Sequence, residues 1–527
     1  MNLTTDPWIP VLRADGCRAD VSLVEAFTQG RQIADLSARP HERIALMRLL
    51  ICIAQAALDG PKDEDEWRNC LEEIPKRVAD YLAKWRHAFE LFGEGPRFLQ
   101  AKGKGTPGAM AVNKLQFIDE DTTTLFDNEV EESNRREDKW LALALLVYQS
   151  FAAGGTVGGS ETVEGKKVPQ KGTNAPCRDQ NALHAFVRRP TLLDTIHANM
   201  LHVEALLERG LKPLIWGEKP VWEYEPGDYW SAECQQDVTT SYLGRLAPLS
   251  RAIWLNEDHC TASNANGLRF GNFEKSGFRE PSCSIRRIVD KEGKEGFRLV
   301  SAGKGALGES AWRELHAVLL KRKAASHSAG AACIYSVPEG GQFDLWLGAL
   351  VAGKAKIVDA FESVYSVPAG MLGDEGRAIY EAGVQFADTL YRRLDYAVRA
   401  FRLAIEKAAL DHRQQIEKGT KLSKADRKKH DGLVEDAAVH YWTAAENLVP
   451  ELFRLVTSPP PVQEARHQFA DSAWGKALFK AALDAYDLAC PHATARQLQA
   501  YVLGRGQFFR TTAPTETPTE ETEESNA

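Results

Sequence analysis

The sequence predicts an α+β protein in two parts: a large mixed N-terminal domain over about 1–370, then a four-helix bundle over about 371–510. Three observations carry this reading. Helical stretches fill much of the first 200 residues, and short strand-like runs dominate from about 210 to 370. After Pro368 no proline occurs until Pro450, and Phe386, Leu390, Leu394, Val398, Phe401, Ile405 and Ala409 recur every three or four residues, one face of a long helix. The length of 527 residues is that of about three or four ordinary domains or two large ones. Such a chain buries a large core without help from disulfides or metal.

The elements follow in order. Trp8-Ile9-Pro10-Val11 reads as a short strand and Asp15-Gly16 as a turn. Pro40 precedes Ile44, Met47, Leu50, Ile51 and Ala54 at helical spacing, with Gly60-Pro61 as the stop. A second helix is expected over Glu64 to Phe92. Residues 101–137 are rich in Gly, Thr, Asp and Glu and read as irregular. An apolar helix is expected from about Asp138 to Ala153. A second irregular stretch, about 154–182, holds Gly154, Gly155, Gly158, Gly159, Gly165 and Gly172, interleaved with Lys166, Lys167, Lys171 and Arg178. Structureless loops longer than about 15 residues are usually functional or disordered. Two of them around one helix are the first functional hint, with plain flexible insertions as the alternative.

A helix is expected to resume over 183–208. Strand-like runs follow at Ile253-Trp254-Leu255, Ser284 to Val289 and Ala332 to Val337, interrupted by a helix near Ser310 to Arg322. Beyond the first bundle helix, Asp431 to Val456, Gln463 to Ala489 and His492 to Phe508 read as three more. The tail, 511–527, is Thr, Pro and Glu and is expected to be disordered.

The formal charge is −8, and five of those charges are glutamates in the tail, so the rest of the chain is only −3. A global basic face for nucleic acid is absent, and any such contact must be local or shared with other subunits. Nine cysteines, an odd number, show no C-x-x-C pair. That fits a reducing, cytoplasmic setting and argues against a cysteine zinc site. The longest uncharged apolar run, Trp140 to Tyr148, is far short of the ~20 residues of a membrane span.

Enzyme motifs mostly fail. Gly348 to Ala355 reads G-A-L-V-A-G-K-A, one residue from a phosphate-binding loop, but Ala355 stands where a Ser or Thr hydroxyl must hold Mg²⁺. His41-Glu42 begins a zinc motif whose second histidine position is Ala45. Gly308-Glu309-Ser310 lacks the closing glycine of a nucleophile elbow, position 312 being Trp. Neither a catalytic constellation, a cofactor nor a structural metal is expected.

Several segments, in order, carry a resemblance: Trp8-Ile9-Pro10-Val11 with Ser22-Leu23; Pro96-Arg97-Phe98-Leu99-Gln100; Thr124-Leu125-Phe126-Asp127-Asn128; Gly154 to Gly159; Pro220-Val221-Trp222-Glu223; Arg251; Phe278-Arg279-Glu280-Pro281; and Trp312-Arg313-Glu314-Leu315. Together with the C-terminal bundle they resemble the CasA family, the large subunits of type I-E CRISPR Cascade complexes. No single motif decides this; the order and spacing across nearly the whole chain do.

The resemblance implies a non-enzymatic reader. In such a complex guide pairing supplies sequence specificity, while protein reads a short flanking motif, the PAM. The family reads it from the minor groove, whose degenerate pattern distinguishes mainly A·T from G·C. By resemblance, Gly158, with Gly155 and Gly159, would lie against the groove floor, and Lys275 would be a groove-inserted lysine. Lys354-Ala355 would stand at the wedge that splits the first base pairs; relatives often carry Gln where this chain has Lys354. Phe126 and Asn128 would sit near the crRNA 5′ handle and the PAM-proximal duplex. Lys166, Lys167 and Lys171 would contact phosphates. The implied partners are the backbone, small and handle-binding Cascade subunits, the crRNA handle, double-stranded target DNA and the recruited helicase-nuclease, with no membrane. The basic run Lys418, Lys421, Lys424, Arg427, Lys428 and Lys429 reads as the loop between the first two bundle helices, most simply a solvated turn. A cysteine cluster that holds zinc in some members is missing, since Trp140 and Leu143 occupy the region of one pair. The alternative reading is a helical scaffold subunit that does not read DNA.

Overall fold

The structure is a computed structural model that describes residues 1–117, 135–163, 165–207, 219–276, 280–289, 293–302, 311–320, 329–338, 341–353, 356–406, 424–458 and 469–509. It divides into two units, Met1–Ala306 with Glu314–Asp374, and Leu307–Arg313 with Glu375–Ala527. The first is mixed α and β and the second is helical, the α+β class the sequence predicts.

The described strands are β1 Ile9–Arg13, β2 Arg18–Val21, β3 Ile33–Leu36, β4 Gly108–Ala111, β5 Gly155–Val163, β6 Lys166–Gly172 and β7 His184–Arg188. After them come β8 Arg251–Leu255, β9 Thr261–Asn266, β10 Ile285–Val289, β11 Glu295–Leu299, β12 Phe343–Gly353 and β13 Lys356–Val367. They form small antiparallel sheets in the orders β2-β1-β3, β4-β9-β8 and β13-β12-β7, with hairpins β5-β6 and β10-β11.

At the centre of the first unit runs the Pro40–Leu58 helix, opened by Pro40 and buried on nearly every side. A helix apolar all round belongs inside, and this one packs against the Ile74–Trp85 and Asp138–Phe151 helices and against β12. Arg48 on it is fully buried, as are Arg245 and Glu280. Arg48 Nη2 donates to Glu280 Oε2 at 2.6 Å, and Arg245 Nε donates to Glu280 Oε1 at 2.9 Å. Burial alone would push the Glu280 carboxyl up, but the two guanidiniums outweigh it and hold it below the usual carboxylate range.

The second unit is built on aromatic packing. Trp312, fully buried, meets Trp474 edge-to-face at 5.8 Å and Trp442 at 6.2 Å. Tyr380 Oη on the Asp374–Glu406 helix donates to the Trp312 carbonyl at 2.9 Å, and Arg313 pairs with Asp388 at 2.8 Å. The other described α-helices of this unit are Lys424–Asn447, Val449–Thr457, Ala473–Ala489 and Ala495–Arg505.

Several local expectations are corrected. The stretch 154–182 is a β-hairpin followed by a 3-10 turn, Pro176–Asn181, because backbone pairing holds it without an alternating apolar pattern. The segment from 183 starts as strand β7 and becomes helical only at Leu192–Asn199, a short apolar run that serves either state. Ala332–Ser336 is a 3-10 turn, not a strand. The helix expected over Glu64 to Phe92 is broken at Cys70–Glu72 and restarts beside Pro75. The helix expected from Asp431 to Val456 starts at Lys424 and divides at Leu448, because Pro450 has no N–H for the ladder. Lys424, Arg427, Lys428 and Lys429 are therefore on a helix rather than in a loop.

Replacing Glu280 by Ala leaves two buried guanidiniums without their anion, and the first unit should lose about 3–5 kcal/mol, read from denaturant midpoints. His41 and His184 supply a pH test. Burial lowers each imidazole to about 4, so both stay neutral in the fold below their ordinary 6.5. The unfolded chain then binds more protons, and stability falls as pH drops from about 6.5 towards about 4. Denaturation at pH 7 and pH 4.5 should show a loss on the order of a few kcal/mol, smaller in His184→Gln.

Candidate nucleic-acid interface

The glycine-rich stretch and its lysines come together on the β5-β6 hairpin. Gly155 pairs with Gly172 and Thr156 with Lys171, and after a register shift Ser160 to Val163 pair with Pro169 to Lys166. The shift leaves Val157, Gly158 and Gly159 out of the ladder. Val157 points inward and is buried, and its carbonyl accepts a bond from Asn264 Nδ2 on β9 at 2.7 Å.

Gly155, Gly158 and Gly159 have φ of +107°, +88° and +71°, values that a β-carbon disfavours. Space separates the last two. A Cβ on Gly159 would lie 2.3 Å from the Thr106 carbonyl oxygen and 2.8 Å from the Gly108 amide nitrogen. A Cβ on Gly158 would meet nothing closer than 3.7 Å. Gly159 is thus required by the fold, while a Cβ on half-buried Gly158 would only reach ordinary contact with Gly108 and Asn264. The 105–108 segment leading into β4 crosses there by a two-way bridge, Thr106 N to Ser160 O at 3.0 Å and Ser160 N to Thr106 O at 2.8 Å. Buried Gln170 ties the layers together, donating to the Lys104 carbonyl at 2.7 Å and accepting from the Asn266 amide at 2.8 Å.

Lys166, Lys167 and Lys171 are exposed, and so is Lys104 on the crossing segment. Lys104 was not expected from sequence, since only its backbone contact to Gln170 brings it to the hairpin. The arrangement offers a left-handed glycine turn, exposed at Gly155 and half-buried at Gly158, with exposed lysines on β6 and on the crossing segment. Backbone amides and ammonium groups of this kind suit a polyanion.

The side chains of the other expected residues lie outside the described structure. Lys275 lies on the short Phe273–Ser276 helix, whose Phe273 amide donates to Asp179 Oδ2 at 2.6 Å; its side chain is outside the description. Phe126, Asn128, Lys354 and Ala355 lie outside the described residues. The described residues on either side of the 118–134 stretch are tied to one another and to His259: the Arg136 amide donates to the His259 carbonyl at 3.2 Å, and Arg136 Nε to Asn113 Oδ1 at 2.9 Å.

The near-match to a phosphate-binding loop is settled by topology. Such a loop joins a strand to a helix, whereas Gly348 to Gly353 lie in β12, which pairs directly with antiparallel β13, Gly353 opposite Lys356. Among the described residues no group of three or more His, Cys, Asp and Glu is placed to hold a metal ion. No described helix is long and apolar enough to cross a membrane.

The model of the family "CRISPR-associated protein Cse1" matches residues 2–485. The chain belongs to this Cse1 family. It is 25% identical to the CRISPR-associated protein CasA/Cse1 of Thermus thermophilus over 542 aligned positions, covering 97% of this chain and 96% of that one. The solved structure of Thermus thermophilus CasA (Cse1) is 22% identical with a TM-score of 0.70, covering 97% of this chain and 98% of that one. A chain from a solved "CRISPR RNA-guided surveillance complex" is 18% identical with a TM-score of 0.67, covering 97% and 99%. The shared fold therefore runs through both units.

Within this Cse1 chain, Gly159→Ala and Gly158→Ala should behave differently. Gly158→Ala meets only backbone strain, costing about 1–2 kcal/mol. Gly159→Ala adds overlap with the crossing segment and should cost about 3 kcal/mol or more, seen as a larger drop in melting temperature.

Proposed function

We propose that this chain is the large subunit of a type I-E CRISPR Cascade complex in the cytoplasm. It reads the PAM of double-stranded target DNA from the minor groove, promotes duplex opening and R-loop formation, and then recruits the helicase-nuclease for antiviral degradation. It has no catalytic activity of its own. The observation that carries the reading is the β5-β6 hairpin in a chain of this family: a left-handed, half-buried glycine at Gly158 that the packing does not require, on a hairpin whose second strand exposes Lys166, Lys167 and Lys171. A groove floor read through backbone tolerates several PAM sequences, because the minor-groove pattern is degenerate.

The part over 1–370 does the reading on the crRNA-handle side, and the bundle over 371–510 holds the displaced strand and touches neighbouring subunits. Lys275 inserts into the groove, where an ammonium donates to O2 and N3 acceptors. Lys354 and Ala355 act beside the first base pairs, Lys354 as wedge or as phosphate contact. Phe126 and Asn128 face the handle and the PAM-proximal duplex.

The deciding experiment is target binding by reconstituted Cascade with and without this subunit, on duplexes that share one protospacer and differ in the three flanking bases. Flank preference that appears only with the subunit, and weakens in Lys275→Ala, is the expected result. Equal affinity for all flanks overturns the reading in favour of a scaffold subunit. Ala substitution of Lys166, Lys167 and Lys171 should weaken all duplexes alike and reduce the salt slope by about one for each phosphate that is no longer neutralised.

A further inference from the structure

The hairpin that carries the proposed reading leaves the body of the protein through glycines. Gly154 precedes its first strand, Gly155 begins that strand, and Gly172 ends the second. A Cβ on Gly155 would meet nothing within 4 Å. Feet of this kind leave the backbone free to swing unless something holds them.

One side chain reaches both feet. Arg251, the first residue of β8, is 1% exposed. Its Nη2 donates to the Ala153 carbonyl at 2.5 Å and to the Thr173 carbonyl at 2.8 Å, one just before each glycine foot begins and one just after it ends. Its Nη1 donates to the Ser250 carbonyl at 2.7 Å. Carbonyl oxygens rather than a carboxylate meet this charge, and burial lowers the guanidinium's pKa. Gly172 makes room for it, since a Cβ there would lie 3.1 Å from Arg251 Cζ.

Arg251 is itself fixed. Gln149 Oε1 accepts from the Arg251 amide at 2.8 Å, while Gln149 Nε2 donates to the Arg251 carbonyl at 2.8 Å and to the Leu99 carbonyl at 2.9 Å. Ser250 Oγ donates to the Gln149 carbonyl at 2.7 Å. Two further bonds close the feet, Gly154 N to Asn174 Oδ1 at 2.7 Å and Ala175 N to Ala152 O at 2.9 Å. Neither connects the feet to the sheet; Arg251 does.

We propose that Arg251 is a positioning residue for flank reading: it staples the two feet of the Gly155–Gly172 hairpin to β8 and so sets the angle at which Gly158 meets the duplex. This rests on the PAM-reading function proposed above. A neutral side chain would leave the hairpin folded through its own ladder and still tied to β9 and residue 106 through Val157, Gln170 and Ser160, but with its feet released, and the turn would then meet every flank with similar, poorer fit. The geometry separates discrimination, which needs the staple, from guide pairing, which does not.

The test uses reconstituted Cascade carrying Arg251→Gln or Arg251→Lys. For each, the ratio of affinities for the best and worst flanking triplet is measured, and binding of single-stranded complementary DNA is measured alongside. Loss of a charged donor shared by two carbonyls is expected to cut the ratio about tenfold in R251Q. R251K keeps the charge but reaches one foot, so its ratio should fall in between, and single-strand binding should change by less than about twofold in both.

Unchanged ratios in both variants overturn the proposal. So does a parallel loss of duplex and single-strand binding, which marks a merely structural role. Should R251Q fail to join the complex, R251K decides: a reduced ratio supports the staple and an unchanged one ends it. If wild-type complex shows no flank preference that depends on this subunit, the functional reading fails, an outcome separate from the failure of the staple.

Discussion

The first unit depends on one buried charge cluster. Glu280 lies between Arg48 of the central helix and Arg245 of the Tyr242–Leu246 turn, all three almost without solvent. The cluster joins segments 35 and 232 residues apart in the chain. Removing charge from water costs several kcal/mol per ion, and only close, multiply bonded geometry offsets it. Arg245 Nη1 adds a bond to the Thr239 carbonyl at 2.7 Å, and Arg48 also donates to the Arg245 carbonyl. The requirement for all of these at once locks the central helix against the segment leading into β10. An apolar contact would permit sliding there; a directional ion cluster does not.

From that fixed frame the sheets follow, and from the sheets the hairpin. The β4-β9-β8 sheet has Asn264 and Asn266 on β9 and Arg251 on β8, which between them hold the inner face, the crossing segment and the feet of β5-β6. What remains unconstrained is the outward side: exposed Gly155 with nothing near its β-carbon position, and lysines in solvent. A surface rigid from behind and open in front suits recognition through the backbone, where a shape must be presented before the ligand arrives.

Segments that carried the family resemblance turn out to be anchors of the fold. Gln100 donates to the Leu91 carbonyl and accepts from the Leu255 amide, and buried Arg97 bonds the Leu255 carbonyl and lies 4.1 Å over the Trp254 ring. Trp222 donates to Tyr81 Oη, which donates to Glu223. Trp312 is the aromatic centre of the second unit. Such positions are readable in a sequence because each buried polar or aromatic group has few acceptable replacements. The hairpin was not readable as a hairpin. Its glycines, lysines and threonines have no alternating apolar face, and its placement comes from Asn264, Asn266 and Thr106, which are distant in the chain.

The amino-acid sequence by itself determined the α+β class, the helical C-terminal region, the buried helix behind Pro40 and the membership that ordered motifs imply. These rest on periodicity and on residues with strong local preferences, which act over a few neighbours. Only the tertiary structure decided that Gly348 to Gly353 lie in an antiparallel strand, that a β-carbon would overlap backbone at Gly159 but not at Gly158, and that Arg251 reaches both feet of one hairpin. Each of those depends on atoms from segments tens to more than a hundred residues apart, and no local pattern records which carbonyl a buried guanidinium will meet.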